Sequence, residues 1–315
     1  MSMHAVKQHK MKKIGLTIGL TAGLCMGAMP AAQADNGRLL ATGGVTQIEG
    51  SAGGGIVPWA LISGYGTEDE IGGTAFLTNV RVPNYDLVSA GIAIGLYDRL
   101  ELSYARQHLS LDSTVLSGLG AGATSINQDI FGIKVKVAGD AIFAQNSLMP
   151  QIAVGMQYKR NLDFDFVPKT IGATDSSGTD FYVAATKVFL GGLAGRNVLL
   201  NGTVRMSKAN QMGLLGFGGS ANNNYKPTFE GSVGVFLNPA NTWLLGAEYR
   251  GNHDNGLAGG ALKQDAYKDV YVAYIPNKRF ALVAAYADLG NLPDTTTASL
   301  NSKKQGVYLS GQFSF

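Results

Sequence analysis

The chain has 315 residues, 43 of them glycine, and only 15% of its residues are charged. With 45% hydrophobic residues it is not a disordered tail. One cysteine excludes a disulfide scaffold, and glycine without a period of three excludes collagen. The formal charge of +3 hints at an anionic partner, but it is not evenly spread.

Residues 1–34 read as an export leader. Lys7, Lys10, Lys12 and Lys13 precede an apolar run at 14–29, and Ala32-Gln33-Ala34 is a small-x-small cleavage site. Cleavage between Ala34 and Asp35 is expected, and Met11 is an alternative start. The run is broken by Thr17, Thr21 and four glycines and ends at Pro30, which is short for a spanning helix. Cys25 follows Leu24, where a lipid-attachment cysteine would follow Gly or Ala. Removing the leader's four lysines leaves 21 basic and 22 acidic residues and no cysteine. The mature chain is close to neutral.

Residues 35–70 form a block of their own, with glycines at 53–55, Pro58-Trp59 and the acidic run Glu68-Asp69-Glu70. They are expected to fold into the barrel described next as a plug or hatch, or to trail as a periplasmic tail. Glycine permits the tight packing that a plug demands.

From residue 71 to 315 the periodicity is two. Twelve segments alternate apolar and polar faces: 71–82, 86–97, 100–109, 126–139, 147–160, 179–190, 197–208, 228–238, 242–251, 265–275, 279–289 and 303–315. Their length suits tilted membrane strands of about 9–11 residues. The links alternate too. Those at 97–99, 140–146, 191–196, 238–241 and 276–278 are short. Those at 110–125, 161–178, 209–227, 252–264 and 290–302 are long, and only 83–85 is short on the long side. This is the pattern of an all-β transmembrane antiparallel up-and-down barrel with short periplasmic turns and long outer loops. A closed wall leaves no backbone group unpaired in lipid.

The last strand alternates and carries Tyr308, Phe313 and Phe315. It resembles the assembly signal of Gram-negative outer-membrane proteins, which implies recognition by the barrel-assembly machinery. Residues 39–72, from Leu39-Leu40-Ala41-Thr42-Gly43-Gly44 through Pro58-Trp59 to Glu70-Ile71-Gly72, resemble the N-terminal block of a proteobacterial outer-membrane family of unknown function. The resemblance implies a porin-like barrel in the outer membrane. It brings no substrate and no catalytic residues.

If aromatic and branched residues face lipid, their neighbours face inwards. By that parity the lumen wall carries Arg81, Glu101, Lys134, Lys136, Lys159, Lys187, Arg205, Glu230, Glu248 and Arg250, seven basic and three acidic. Lys187 is ambiguous because both faces of its strand are mixed. A basic lumen attracts anions. A filled lumen would instead hold these residues as ion pairs, with Glu248–Arg250 and Glu230–Arg205 as candidates. Twelve strands lie between filled eight-stranded barrels and open 16–18-stranded porins, so size decides nothing.

Catalytic chemistry finds little support. The mature histidines are His108 and His253. Residues 252–256 superficially resemble a phospholipase barrel segment with His and Ser two apart, but Asn255 stands where the nucleophile should be. His253 is expected to be exposed at a loop edge. Asp163 with Asp165, or Asp265 with Asp269, could hold a divalent cation, and more often such acids are solvated or bridge lipopolysaccharide. The tract Gly118–Gly122 lacks the strand–helix setting of a phosphate cradle. No cofactor, metal or nucleic-acid partner is expected. The expected function is an outer-membrane channel for small solutes with an anion preference. The alternatives are a hatch-type transporter of hydrophobic compounds and a closed structural or adhesive barrel. The expected partners are outer-membrane lipid, lipopolysaccharide, the assembly machinery and small solutes.

Overall fold

The structure is a computed structural model that describes residues 38–112, 125–296 and 300–315. The leader, its cleavage site and the 118–122 tract lie outside these residues.

Two short strands, β1 (Val45–Thr46) and β2 (Ala52–Gly53), pair within the N-terminal block. The wall consists of β3 (Ile71–Val82), β4 (Tyr85–Leu96), β5 (Leu100–Leu111), β6 (Ser125–Ala138), β7 (Gln151–Asn161), β8 (Ser177–Leu193), β9 (Arg196–Ser207), β10 (Lys226–Phe236), β11 (Trp243–Arg250), β12 (Tyr267–Tyr274), β13 (Phe280–Pro293) and β14 (Asn301–Ser314). Each pairs antiparallel with its chain neighbours, and β14 returns to β3 to close a twelve-stranded barrel. All twelve expected strands are present within a few residues of the expected bounds. The link after β6 is longer than expected and runs from 139 to 150.

The tight turns follow from local chemistry. Tyr97 and Asp98 both take positive φ in the turn between β4 and β5, which the Arg99 N–H closes by donating to the Leu96 carbonyl at 3.0 Å. Pro83-Asn84 turns with Asn84 at φ 70°. At the chain end the Phe315 N–H donates to the Gly73 carbonyl at 2.9 Å, and the Gly73 N–H donates back at 2.9 Å.

The outer face carries an exposed apolar residue on every wall strand: Leu77, Ile92, Leu102, Phe131, Val154, Phe181, Leu200, Phe229, Leu245, Val270, Leu282 and Leu309. A continuous belt of this kind far exceeds the few hundred Å² of apolar patch that soluble monomers expose. It fits hydrocarbon. Trp243 stacks on Tyr274 at 4.4 Å and Phe280 meets Phe313 at 5.2 Å near the short turns, as an interfacial aromatic girdle does. Towards the long links the outer face turns ionic, with Arg106–Asp129 at 3.6 Å and Lys303–Asp288 at 3.1 Å.

Arg81 belongs to this outer ring, which corrects its placement in the lumen. From Thr74 onwards the buried positions of β3 are Thr74, Phe76, Thr78, Val80 and Val82. Arg81 alternates with them, is 74% exposed, and pairs with Asp86 at 2.8 Å. The parity rule fails here because the interior at this end is itself apolar, so Val80 and Val82 point inwards. A lipid-side cation near the strand end costs only about 0–1 kcal/mol, not the price of a midplane charge.

Candidate functional site

The lumen is filled from its own N-terminus. Residues 38–66 run inside the wall, and Ile48, Ile56, Val57, Trp59, Ala60 and Ile62 are all at most 2% exposed. Gly64 lets the segment pass the wall: it has φ +81°, and a Cβ there would lie 2.5 Å from the Gly73 nitrogen. Side chains from at least nine wall strands bond to this segment. Ser89 and Gln107 donate to the Ile48 carbonyl at 2.7 and 3.0 Å. Gln151 donates to the Ala60 carbonyl at 2.7 Å, and Thr203 to that of Pro58 at 2.9 Å. The Ala60 N–H donates to Thr186 at 2.7 Å, and the Trp59 indole to Ser232 at 2.9 Å. Gln312 reaches the Gly44 carbonyl at 3.3 Å. Backbone that would otherwise be stranded is therefore satisfied by the wall.

The charged residues organise around Glu49. Its carboxylate takes Arg250 at 2.7 Å and Lys159, with Arg205 at 3.9 Å. Burial alone would raise its pKa. Arg250, Lys159 and Arg205 outweigh burial and hold the carboxyl well below the usual carboxylate range. Arg205 also binds Glu230 at 2.5 Å and Asp180 at 3.4 Å, and Lys159 binds Asp180 at 2.6 Å. Arg250 completes the set with Glu230 at 3.5 Å.

On the adjoining strands β5 and β6, Lys134 pairs with Glu101 at 3.1 Å. Glu101 accepts the N–H groups of Ala52 and Ser63 at 3.2 and 2.8 Å, while Lys134 donates to the Ala52 and Trp59 carbonyls at 3.0 and 3.2 Å. Glu248 accepts from the Ile56 N–H at 2.7 Å and from Ser232 at 2.6 Å. Asp269 lies directly across the ladder from Glu248 and makes no ion pair among the described residues.

Of the ten residues assigned to the lumen by parity, Glu101, Lys134, Lys159, Arg205, Glu230, Glu248 and Arg250 are buried on the inner face. Lys136 is held by Asp98 at 2.5 Å beside the turn after β4. Lys187 is a correction. The inner set of β8 is Asp180, Tyr182, Ala184 and Thr186, and Lys187 is out of phase with it. Its ammonium donates to the carbonyls of Asp140, Ala144 and Met149 in the 139–150 link, which covers it. Of the two expected pairs, Arg205–Glu230 forms. Glu248 and Arg250 do not pair, because each has a partner in the N-terminal segment.

Glu49 and Asp180 were not among the expected residues. Seven basic against three acidic wall residues was itself a signal that buried counter-charge was missing. Of the C-terminal aromatics, Tyr308 is buried inside at 1% exposure, while Phe313 packs outside on Phe280.

Above the ionic layer, towards the long links, lies an apolar chamber of about 40 Å³. Ile48 and Ile56 floor it, and Val80, Val82, Leu87, Leu109 and Leu111 wall one side. Leu289 and Leu292 join from β13, where a bulge between Asp288 and Asn291 breaks the register. The 208–225 link dips inwards as a lid and inserts Met212, Leu214 and Leu215. Its sharp turn places Gln211 and Met212 at φ 46° and 58°, conformations that side chains rarely adopt. Asn161 holds the Leu214 carbonyl at 2.8 Å, and Gln211 holds that of Asn291 at 2.8 Å.

The other chemical candidates do not converge. His253 is half-buried, not exposed; burial pushes its pKa down, and neither ring nitrogen has a partner among the described residues. Ser207 and His253 line a second small cavity, but Ser207 donates to Asp180 at 2.5 Å. Asn255 is buried and donates to Asn210 at 2.9 Å. Asp163 accepts from Asn127 at 2.7 Å and Asp165 pairs with Lys169 at 2.8 Å, so that pair is divided. Asp265 accepts from Asn291 at 3.0 Å, away from buried Asp269.

No curated protein matches the chain. Among solved structures it is similar to the KdgM porin at 9% identity and a TM-score of 0.46, over 77% of this chain and 99% of that one. It is similar to the NanC porin at 8% identity and 0.45, over 76% and 98%. It is also similar to the outer-membrane protein Omp33 of Acinetobacter baumannii at 8% and 0.41, over 79% and 100%. With its family profile matched over residues 42–312, the chain belongs to DUF3034, a family of proteins of unknown function.

Proposed function

We propose that this protein is a channel of the Gram-negative outer membrane for small solutes, closed at rest by its own N-terminal hatch. One observation carries the reading: residues 38–66 fill the barrel and bond to at least nine of its strands. A purely structural barrel of this size could be filled by larger wall side chains. Here the filling is a separate segment that leads into the first wall strand at Ile71 and is held by hydrogen bonds and ion pairs to the wall.

The lumen charge supports no anion preference. At the hatch level the buried cations are Lys134, Lys159, Arg205 and Arg250, against the carboxyl groups of Glu49, Glu101, Asp180, Glu230, Glu248 and Asp269. Every one of those cations has a carboxylate within 3.1 Å. Planar-bilayer recording tests the reading. The mature chain should be silent or open rarely, and a chain lacking residues 38–66 should conduct steadily with weak selectivity. A folded, hatch-deleted barrel that stays silent refutes it.

A further inference from the structure

We propose that the apolar chamber beneath the 208–225 lid is a binding site for a small uncharged apolar molecule, about the size of one aromatic ring. Binding does not depend on the hatch reading; only the onward passage of the ligand does. The first ground is chemistry. The lining is almost wholly hydrocarbon, with Gln211 and tyrosine hydroxyls as its polar groups. A polar ligand would leave its own donors and acceptors unpaired there, while an apolar one loses nothing on leaving water.

The second ground is the void itself. Interiors pack without gaps larger than a water, yet about 40 Å³ stays open here. An apolar cavity of about 150 Å³ stays dry and takes up benzene. The missing space can come from the lid. Met212, Leu214 and Leu215 sit on a link, not on the wall, and methionine repacks readily. The third ground is position: Ile48 and Ile56 of the hatch form the chamber floor, so a ligand would touch the hatch directly.

The test is photolabelling of the mature protein in phospholipid vesicles with 3-trifluoromethyl-3-phenyldiazirine, an uncharged single-ring probe, followed by peptide mapping. Adducts are expected on Met212 and Leu215, which are buried, as well as on lipid-facing Leu102 and Phe131. Excess toluene should suppress the inner adducts and spare the outer ones. Leu109→Asn puts an amide into the chamber wall and should cut inner labelling roughly tenfold. If that variant does not fold, as judged by heat-modifiable mobility, Leu215→Phe should make the same cut by filling the void. Adducts confined to the lipid face, or inner adducts that neither toluene nor the variants reduce, overturn the proposal. Conductance of the hatch-deleted chain is a separate readout, so either idea can fail while the other stands.

Discussion

The two sides of the inner wall solve the same problem in opposite ways. On β7–β11 the charged inward residues are Lys159, Asp180, Arg205, Glu230 and Arg250, closed into a network through Glu49. On β3–β5, nearer the long links, they are Val80, Val82, Leu87, Leu109 and Leu111. Both faces are cut off from water, one by a carboxylate from the hatch and the other by apolar side chains from the hatch and the lid. A barrel interior is polar when water fills it. When chain fills it, the wall takes whatever polarity its filling has.

The largest effect should come from breaking the ionic side. Glu49→Gln keeps the shape but leaves Lys159, Arg205 and Arg250 short of the carboxylate they share. Removing one partner of a buried ion pair costs about 3–5 kcal/mol. Amide exchange in residues 45–62, followed by mass spectrometry, should accelerate on the order of 10²–10³-fold as the hatch opens locally. Exchange in β3–β5 should stay as it is. Unchanged exchange in the hatch would mean that the ionic side does not hold it.

The same contrast explains which parts were legible in the amino-acid order. The twelve strands were, because the period of two and the alternation of short and long links are set by lipid outside and by closure, whatever lies within. The inner faces of β9–β11 were legible for a related reason: Arg205, Glu230 and Arg250 alternate with Val204, Phe229 and Tyr249, apolar or aromatic residues exposed on the outer face. Arg81 was misread because the rule assigns apolar residues to lipid, and Val80 and Val82 have an apolar chamber to enter. Lys187 was misread because a link covers it, and no periodicity announces a covering loop. Glu49 went unnoticed because its role is defined by residues 110 to 201 positions away. The chamber has no local signature at all, since its floor, walls and lid come from seven separate stretches of chain.

A middle-sized effect should come from the hatch's own packing, independent of charge. A Cβ on Gly53 would lie 2.3 Å from the Val57 carbonyl oxygen and 2.9 Å from the Pro58 Cα. Both obstacles are backbone, so neither can swing aside, and overpacking of this kind costs about 1–3 kcal/mol. Gly53→Ala should therefore displace the turn that seats the Trp59 indole on Ser232. Faster exchange is expected at 52–59, with the Glu49 network largely kept and a smaller change than Glu49→Gln produces. If Gly53→Ala opens the whole hatch as far as Glu49→Gln does, the two supports are one cooperative unit, and charge is not the dominant hold.

The smallest effect should come from outside the barrel. Arg81 and Asp86 form an ion pair at 2.8 Å, but the arginine is 74% exposed. Exposed pairs of this kind are worth about 0–1 kcal/mol, because solvent screens them and ordering two side chains offsets the attraction. Arg81→Ala should shift barrel stability by less than about 1 kcal/mol and leave hatch exchange unaltered. Its sharper use is in a hatch-deleted, conducting barrel. A cation facing the lumen would bias the current, and its removal would change the ratio of anion to cation permeability. A cation on the outer ring would not. Unchanged selectivity in Arg81→Ala, beside a clear change in Lys134→Ala, is the expected outcome, since only Lys134 lies on the inner face. Equal shifts in both variants would return Arg81 to the lumen and overturn the division of the wall into an ionic and an apolar side.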